Sequence, residues 1–271
     1  MFKQTKRVLA TAALMALVAC NPQMHPATPS PTAAESYTVY TTSNAAPLVE
    51  SLLSHYNESL SEELFRYDVG NHGQLLAGLG DNELDYFVSH HRPNDDDIWA
   101  APIAQDGIVA IVHADNAITN LTTALLRQIY QGFITNWAEL GGENITITLY
   151  SREAGSAVRA EFDRLVMGQR VTSPNAQIVP STQAAILSIT EDRGGLAYIP
   201  LSQLTSQVHA LSIDDIPPTQ DSVAQQIYPL RSTLFIIGRE EPKEPYAALI
   251  SWIQSTVGQN IVSEHYIPLP R

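Results

Sequence analysis

From Tyr37 onward, short apolar runs alternate with amphipathic stretches, and this strand, loop, helix, strand order is what most restricts the fold. Tyr37-Thr38-Val39-Tyr40 reads as a strand, and Pro47 to Tyr56 as a helix with Leu48, Leu52, Leu53 and Tyr56 on one face. Leu64 to Val69 and Leu84 to Val88 read as the next strands, with a short helix over Gln74 to Leu79 between them. Gly107 to His113 is almost continuously apolar, which predicts a strand buried on both faces. Further helices are expected over Thr122–Tyr130, Ser156–Val166, Ala184–Thr190 and Tyr246–Val257, the last ended by Gly258. Further strands are expected over Ile145–Leu149, Leu196–Ile199 and Leu234–Ile237. The expected class is α/β, a parallel sheet covered by helices. In that class ligands bind where strand C-termini meet helix N-termini.

Small polar clusters stand at those places. Thr41-Thr42-Ser43-Asn44 follows the first strand, Gly70-Asn71-His72-Gly73 the second and Ser89-His90-His91-Arg92 the third. Ser151 to Ser156 and Ser181-Thr182-Gln183 each precede a helix. One such cluster is an ordinary helix cap. Five in succession exceed what capping requires, and together they can offer backbone N–H groups and hydroxyls to an anion at the positive ends of helix dipoles. Arg152 is the strongest single candidate, because a guanidinium beside a glycine-containing helix start suits bidentate oxyanion binding, and Arg92 before Pro93 is a weaker one.

The N-terminus carries an address. A basic start with Lys3, Lys6 and Arg7 precedes an uncharged stretch from Val8 to Val18. As a helix that stretch reaches only about 16 Å, about half a bilayer core, which fits a signal peptide over 1–19 and not a spanning helix. Leu17-Val18-Ala19-Cys20 resembles a bacterial lipobox, so Cys20, the one cysteine of the chain, is expected to carry a lipid. Residues 20–36, rich in Pro, Ser, Thr and Ala, lack hydrophobic periodicity and read as a flexible tether. No later stretch is long and apolar enough to span.

Charge excludes some partners. With 15 Lys/Arg against 28 Asp/Glu the formal net charge is −13, which argues against a nucleic-acid binder and against a peripheral anchor on anionic lipid. Enzyme motifs are missing: there is no HExxH, GxSxG, Walker loop or GxGxxG, so no catalytic residue and no cofactor is assigned. The side chains of adjacent His90 and His91 are expected to diverge, and Asp95-Asp96-Asp97 lacks the Gly and Glu of a calcium loop, so no metal is expected.

Several of these residues carry a family resemblance. Asn120-Leu121-Thr122, Ile129-Tyr130-Gln131-Gly132 and Ile134-Thr135-Asn136-Trp137 resemble a segment of the phosphate-binding proteins of bacterial phosphate ABC transporters. Ser151 to Ser156 resembles their Arg-x-x-Gly-Ser-Gly-Thr loop, and Gly194 to Ile199 one of their strands. Tyr228-Pro229-Leu230, Gly258-Gln259 and Tyr266 to Leu269 resemble their return hinge and C-terminus. The resemblance covers 37–271 and implies a two-lobed type II periplasmic-binding-protein fold, each lobe a mixed, mainly parallel sheet covered by helices. Its lobes would be 37–104 plus 229–271 and 105–228, joined by crossovers near Ala104–Asp106 and Tyr228–Leu230. It implies a monomeric solute-binding lipoprotein of the cell envelope that passes phosphate or a similar oxyanion to an ABC permease. The ligands it implies are Ser43, Asn44, Asn71, His72, Ser89, Arg152 and Ser156. Two departures bear on the choice of anion. The family's Gly-Thr is Ala157-Val158 here, and the acid commonly two after the arginine is replaced by Ala154, with Glu153 one place early. Sulfate, molybdate and tungstate therefore stand beside phosphate as ligands, and a sensor or interaction protein without transport stands beside the importer.

Overall fold

The structure, a computed structural model, describes residues 36–61 and 64–270. The expected signal peptide, Cys20 and the tether as far as residue 35 lie outside the described residues. In the first part of the chain, β1 (Tyr37–Thr42), α1 (Ala46–Leu60), β2 (Phe65–Gly70), α2 (His72–Gly80) and β3 (Tyr86–Ser89) lead into the long strand β4 (Trp99–Val112). Next come β5 (Asn120–Leu121), α3 (Thr123–Tyr130), β6 (Thr148–Arg152), α4 (Ala157–Phe162), β7 (Gln177–Val179), α5 (Thr182–Glu191) and β8 (Gly195–Pro200). β9 (His209–Ala210), β10 (Ser212–Ile213), α6 (Gln220–Ala224), β11 (Arg231–Gly238), α7 (Tyr246–Gln254) and α8 (Thr256–Val262) complete the order.

The main sheet runs β2-β1-β3-β11-β4-β8-β6-β7, with β9 paired to β4. β1 pairs in parallel with β2 and β3, and β6 in parallel with β7 and β8. The antiparallel pairs are β11 with β3 and β4, and β4 with β8 and β9. The alternating pattern therefore does build a mixed α/β sheet. β4 joins its two halves: Trp99 to Gly107 pair with β11, and Ile108 to Val112 pair with β8. The C-terminal segment also meets β4, where Gln105 and Ile267 exchange backbone bonds of 2.7 and 3.0 Å.

Each half has its own apolar core. Val39, Leu48, Leu52, Phe65, Ile103, Leu234 and Leu249 belong to one, and Ile108, Leu126, Trp137, Phe162, Tyr198 and Tyr228 to another. Burying such a side chain contributes roughly 1.5–3 kcal/mol, which is why period, more than any single motif, selects the elements. α1 buries Leu48, Val49, Leu52, Leu53 and Tyr56, the face its spacing predicts. The apolar run in β4 is covered on both sides, with Ile108, Ala110 and Val112 in one cluster and Val109 and Ile111 in another.

Three expectations need correction. The strand expected over Ile145–Leu149 is β6 at Thr148–Arg152, so it runs on into the polar Ser151-Arg152 pair. Helix α4 stops at Phe162 and continues to Met167 as a π-helical turn. Gly258 does not end the last helix: α7 stops at Gln254, Ser255 caps α8, and Gly258 lies inside α8. A Cβ there would come within 2.4 Å of the Ile253 carbonyl oxygen, so close approach of the two helices, not a C-cap, requires glycine.

Candidate functional site

The strand ends of both halves meet at a buried polar cluster. Thr42, Asn44, His72, Ser89 and His90 come from the half holding β1, β2 and β3, and Ser151, Arg152, Ser156 and Thr182 from the half holding β6 and β8; all nine are buried. Burying this many polar groups costs free energy unless each finds a partner, so the bonding pattern is informative.

The halves touch directly. The Asn44 amide nitrogen donates to the Thr182 hydroxyl at 2.6 Å, and Arg152 Nη1 donates to Asn44 Oδ1 at 3.5 Å. Gln203 Nε2 donates to the Asn44 carbonyl at 3.0 Å. At the start of α2 the Gly73 N–H donates both to Asn71 Oδ1, its cap, at 3.0 Å and to the Gly155 carbonyl at 3.1 Å. Gly155 has φ +86°, and a Cβ on it would stand 2.3 Å from Asn71 Oδ1, so only glycine lets these loops meet.

Arg152 is 2% exposed and mostly engaged. Nε donates to Glu153 Oε2 at 3.0 Å and to the Val179 carbonyl at 3.1 Å, while Nη2 donates to Glu153 Oε1 at 3.2 Å and to the Pro180 carbonyl at 3.1 Å. The displaced acid of the sequence is thus the ion-pair partner of this arginine. Of the two Nη1 hydrogens only one has a partner, Asn44, among the described residues. The Tyr198 hydroxyl receives the Arg152 backbone N–H at 3.3 Å and lies 2.9 Å from the Ser151 hydroxyl. Burial pushes that phenol up to about 12.

Helix starts differ in how they are capped. Asn71, Ser156 and Ser181 cap α2, α4 and α5 with their side chains. α1 has no side-chain cap, so the Ala46 and Leu48 N–H groups of its first turn stay open, Pro47 between them having none. Just before it, Thr42 Oγ1 is buried without a hydrogen-bond partner in the protein; the one other such side-chain atom among the described residues is His90 Nδ1. A buried polar atom left unpaired costs about 1–3 kcal/mol, and both sit at the end of a strand entering the cluster.

The histidines are divided among partners. The Nε2–H of His90 donates to Asp106 Oδ2 at 3.1 Å, and Asp106 also accepts from the Ser202 hydroxyl at 2.7 Å and from the Gly107 and Ser202 backbone N–H groups. His91 Nδ1 lies 3.1 Å from Glu161 Oε2 on α4. Adjacent in sequence, the two rings diverge, and no group of three or more His, Cys, Asp or Glu able to hold a metal occurs among the described residues. His72 Nδ1 lies 2.9 Å from the Ser89 hydroxyl; burial, aided by neighbouring His91, pushes its pKa down to about 4.

Of the residues singled out in the sequence, Asn44, Asn71, His72, Ser89, Arg152 and Ser156 come together, Asn71 and Ser156 as helix caps. Ser43 does not: it is exposed and makes no side-chain bond among the described residues, and Thr42 is the buried hydroxyl of that loop. Arg92 is exposed outside the cluster. Thr42, His90 and Thr182 stand in the polar clusters flagged by the sequence but are not among the individual ligands it implies, and Gln203 is not singled out. Strand alternation could have flagged Thr42 over Ser43, but nothing local marks Gln203.

The comparisons agree with this architecture. The model of a PBP superfamily domain matches residues 26–257. The phosphate-binding protein PstS of Bacillus subtilis is 26% identical over 247 residues, 88% of this chain and 82% of that protein. PstS of Borreliella burgdorferi is 22% identical over 235 residues, 81% of this chain and 84% of that protein. Among solved structures, a substrate-binding protein from Clostridium perfringens with bound phosphate matches with a TM-score of 0.80 at 24% identity, over 87% of this chain and 100% of that one. An ABC-type phosphate transport receptor from Vibrio cholerae matches with a TM-score of 0.75 at 23% identity and the same coverage. The two structures share its fold, the family model spans most of its length, and the chain accordingly belongs to the PBP superfamily.

Proposed function

We propose that this protein is an extracytoplasmic solute-binding protein that captures phosphate, or a similar tetrahedral oxyanion, by closure of two lobes and passes it to an ABC permease. The reading rests above all on one observation: buried polar groups from both halves of the sheet surround Arg152, beside an uncapped helix start and an unpartnered Thr42 hydroxyl. Open N–H groups, a hydroxyl and a guanidinium can replace the hydration shell of one small anion without a broad positive field. Relatives of similar sequence or fold are named for phosphate binding or phosphate transport. The lobes are read as 37–104 with 229–271 and 105–228, and the ligand set as Asn44, Asn71, His72, Ser89, Arg152 and Ser156, with Thr42 replacing Ser43.

Calorimetry with phosphate, sulfate, molybdate and tungstate tests the reading, and no heat with any of them overturns it. The anchor is a separate part of the proposal: Cys20 carries lipid and holds a monomer at the cell envelope. Labelling with a fatty acid, lost in Cys20→Ala, tests that part.

One observation favours a second reading, a receptor that senses or docks without transport. Glu153 already occupies the Nε/Nη2 edge of Arg152, and Val158 supplies no hydroxyl where the family has threonine. Micromolar or tighter phosphate binding counts against it.

A further inference from the structure

We propose that the face beside β11 carries a second anion site, built on Arg92, Arg164 and Arg231 and separate from the Arg152 cluster, whose ligand is a compact polyanion with oxygens on at least two acidic groups. These arginines line a cavity of about 320 Å³ together with Glu161, Ser232 and Thr233. That volume is at the lower end for ligand pockets, roughly 300–1,000 Å³, and far above the roughly 30 Å³ of one water.

Charge is the first argument. The chain has only 15 Lys/Arg against 28 Asp/Glu, yet three arginines from three elements gather here. Arg92 follows β3, Arg164 lies in the turn after α4, and Arg231 opens β11. Like charges around one cavity raise its energy unless an anion fills it. Glu161 is the one acid in the lining, and its charge is already matched. Arg164 Nε donates to its Oε2 at 3.0 Å, Arg164 Nη2 donates to Oε1, and His91 stands 3.1 Å from Oε2. Burial alone would raise this carboxyl, but the bonds from Arg164 and His91 outweigh it and hold it below the ordinary range. Arg92 and Arg231 are left as uncompensated cations.

Donor capacity is the second argument. Among the described residues Arg231 makes one side-chain hydrogen bond, Nη1 to the Gln226 carbonyl at 3.0 Å, which orients it, and Arg92 makes none. Arg152, by contrast, spends most of its donors on the protein. Guanidinium groups approaching from separate elements each match the edge of one oxyanion, so a ligand with two acidic groups uses the site better than a single ion does.

Inorganic pyrophosphate is the probe, titrated calorimetrically at low salt into the full chain, into Arg92→Gln/Arg231→Gln and into Arg152→Ala. Both substituted residues of the double variant are exposed, so its fold is retained. Losing two charge-assisted pairs predicts binding about 100-fold weaker in the double variant, with Arg152→Ala within about threefold of wild type. Absence of pyrophosphate heat in the unaltered chain, undiminished binding by the double variant, or loss in Arg152→Ala would each overturn the site. The phosphate reading is judged apart from it, by inorganic phosphate heat and its loss in Arg152→Ala.

Discussion

The two halves of the sheet bring unlike materials to the polar cluster. From β1, β2 and β3 come neutral groups, the Thr42 and Ser89 hydroxyls, the Asn44 and Asn71 amides, and His72 pushed down to about 4. From β6 comes the charge, Arg152, already held by Glu153 and two carbonyls. Apart from one open Nη1 hydrogen of Arg152, unspent bonding capacity lies in the other half. It lies at the uncapped α1 and at Thr42 in the first half, whereas α4 and α5 in the second half are capped. A desolvated oxyanion needs both a countercharge and enough donors, so neither half alone suffices. Under the proposed oxyanion capture, that division gives a ligand a physical reason to favour the joined state.

The strongest way to break this comparison is to remove its charge. Arg152→Ala should weaken phosphate binding by about 100-fold or more, because truncating one side of a buried, hydrogen-bonded charge pair costs about 2–5 kcal/mol. Calorimetry that finds near wild-type affinity would make the charged half dispensable. The next effect is on stability against pH. His72 has a folded-state pKa of about 4 against an ordinary 6.5, so the unfolded chain takes the proton more readily. Its contribution is complete above about pH 6.5 and is lost as pH falls toward 4, approaching about 3 kcal/mol. Thermal melts across that window should slope less steeply for His72→Gln than for wild type; parallel slopes would show that His72 is not the group responsible.

Contact between the halves is tested by Gly155→Ala, which combines the left-handed φ with a methyl against Asn71. A loss of about 1–3 kcal/mol in folding stability is expected, and Asn71→Ala, which removes the clashing amide, should cost less in Gly155→Ala than in the unaltered chain; additive losses would place the damage within the loop itself. The smallest effect separates binding from folding. Thr42→Val removes a buried hydroxyl that has no partner in the protein, so stability should hold or rise by about 1 kcal/mol while phosphate affinity falls about tenfold. Unchanged affinity would remove Thr42 from the ligand set.

Legibility in the sequence followed the range of the forces involved. α1 shows its apolar face at helical spacing, and Gly107 to Val112 reads as doubly covered because no polar residue interrupts it. The same strand begins eight residues earlier, at Trp99, where Pro102 and Asp106 hide it. What holds that stretch is antiparallel pairing with β11, far away in the chain. Gly258 misled for a related reason: a glycine near a helix end resembles a cap, but contact with Ile253 sets its need. Polar clusters after the strands were legible because caps and strand ends are local. They chose Ser43 over Thr42, since only packing tells which side chain turns inward.

By itself the sequence determined the α/β class, the places where strands hand over to helices, the scarcity of positive charge and the position of Arg152 beside a glycine-containing helix start. These follow from periodicity, capping and composition, which act over a few residues. Tertiary structure alone decided that Glu153 clamps Arg152, that Asn44 reaches Thr182 and Gln203, that His90 holds Asp106, and that Arg92, Arg164 and Arg231 share one cavity. Each of those relations but the first joins residues remote in the chain. They exist because the two halves of a continuous sheet fold toward each other, and burial then makes every polar atom between them find a partner or remain open for a ligand.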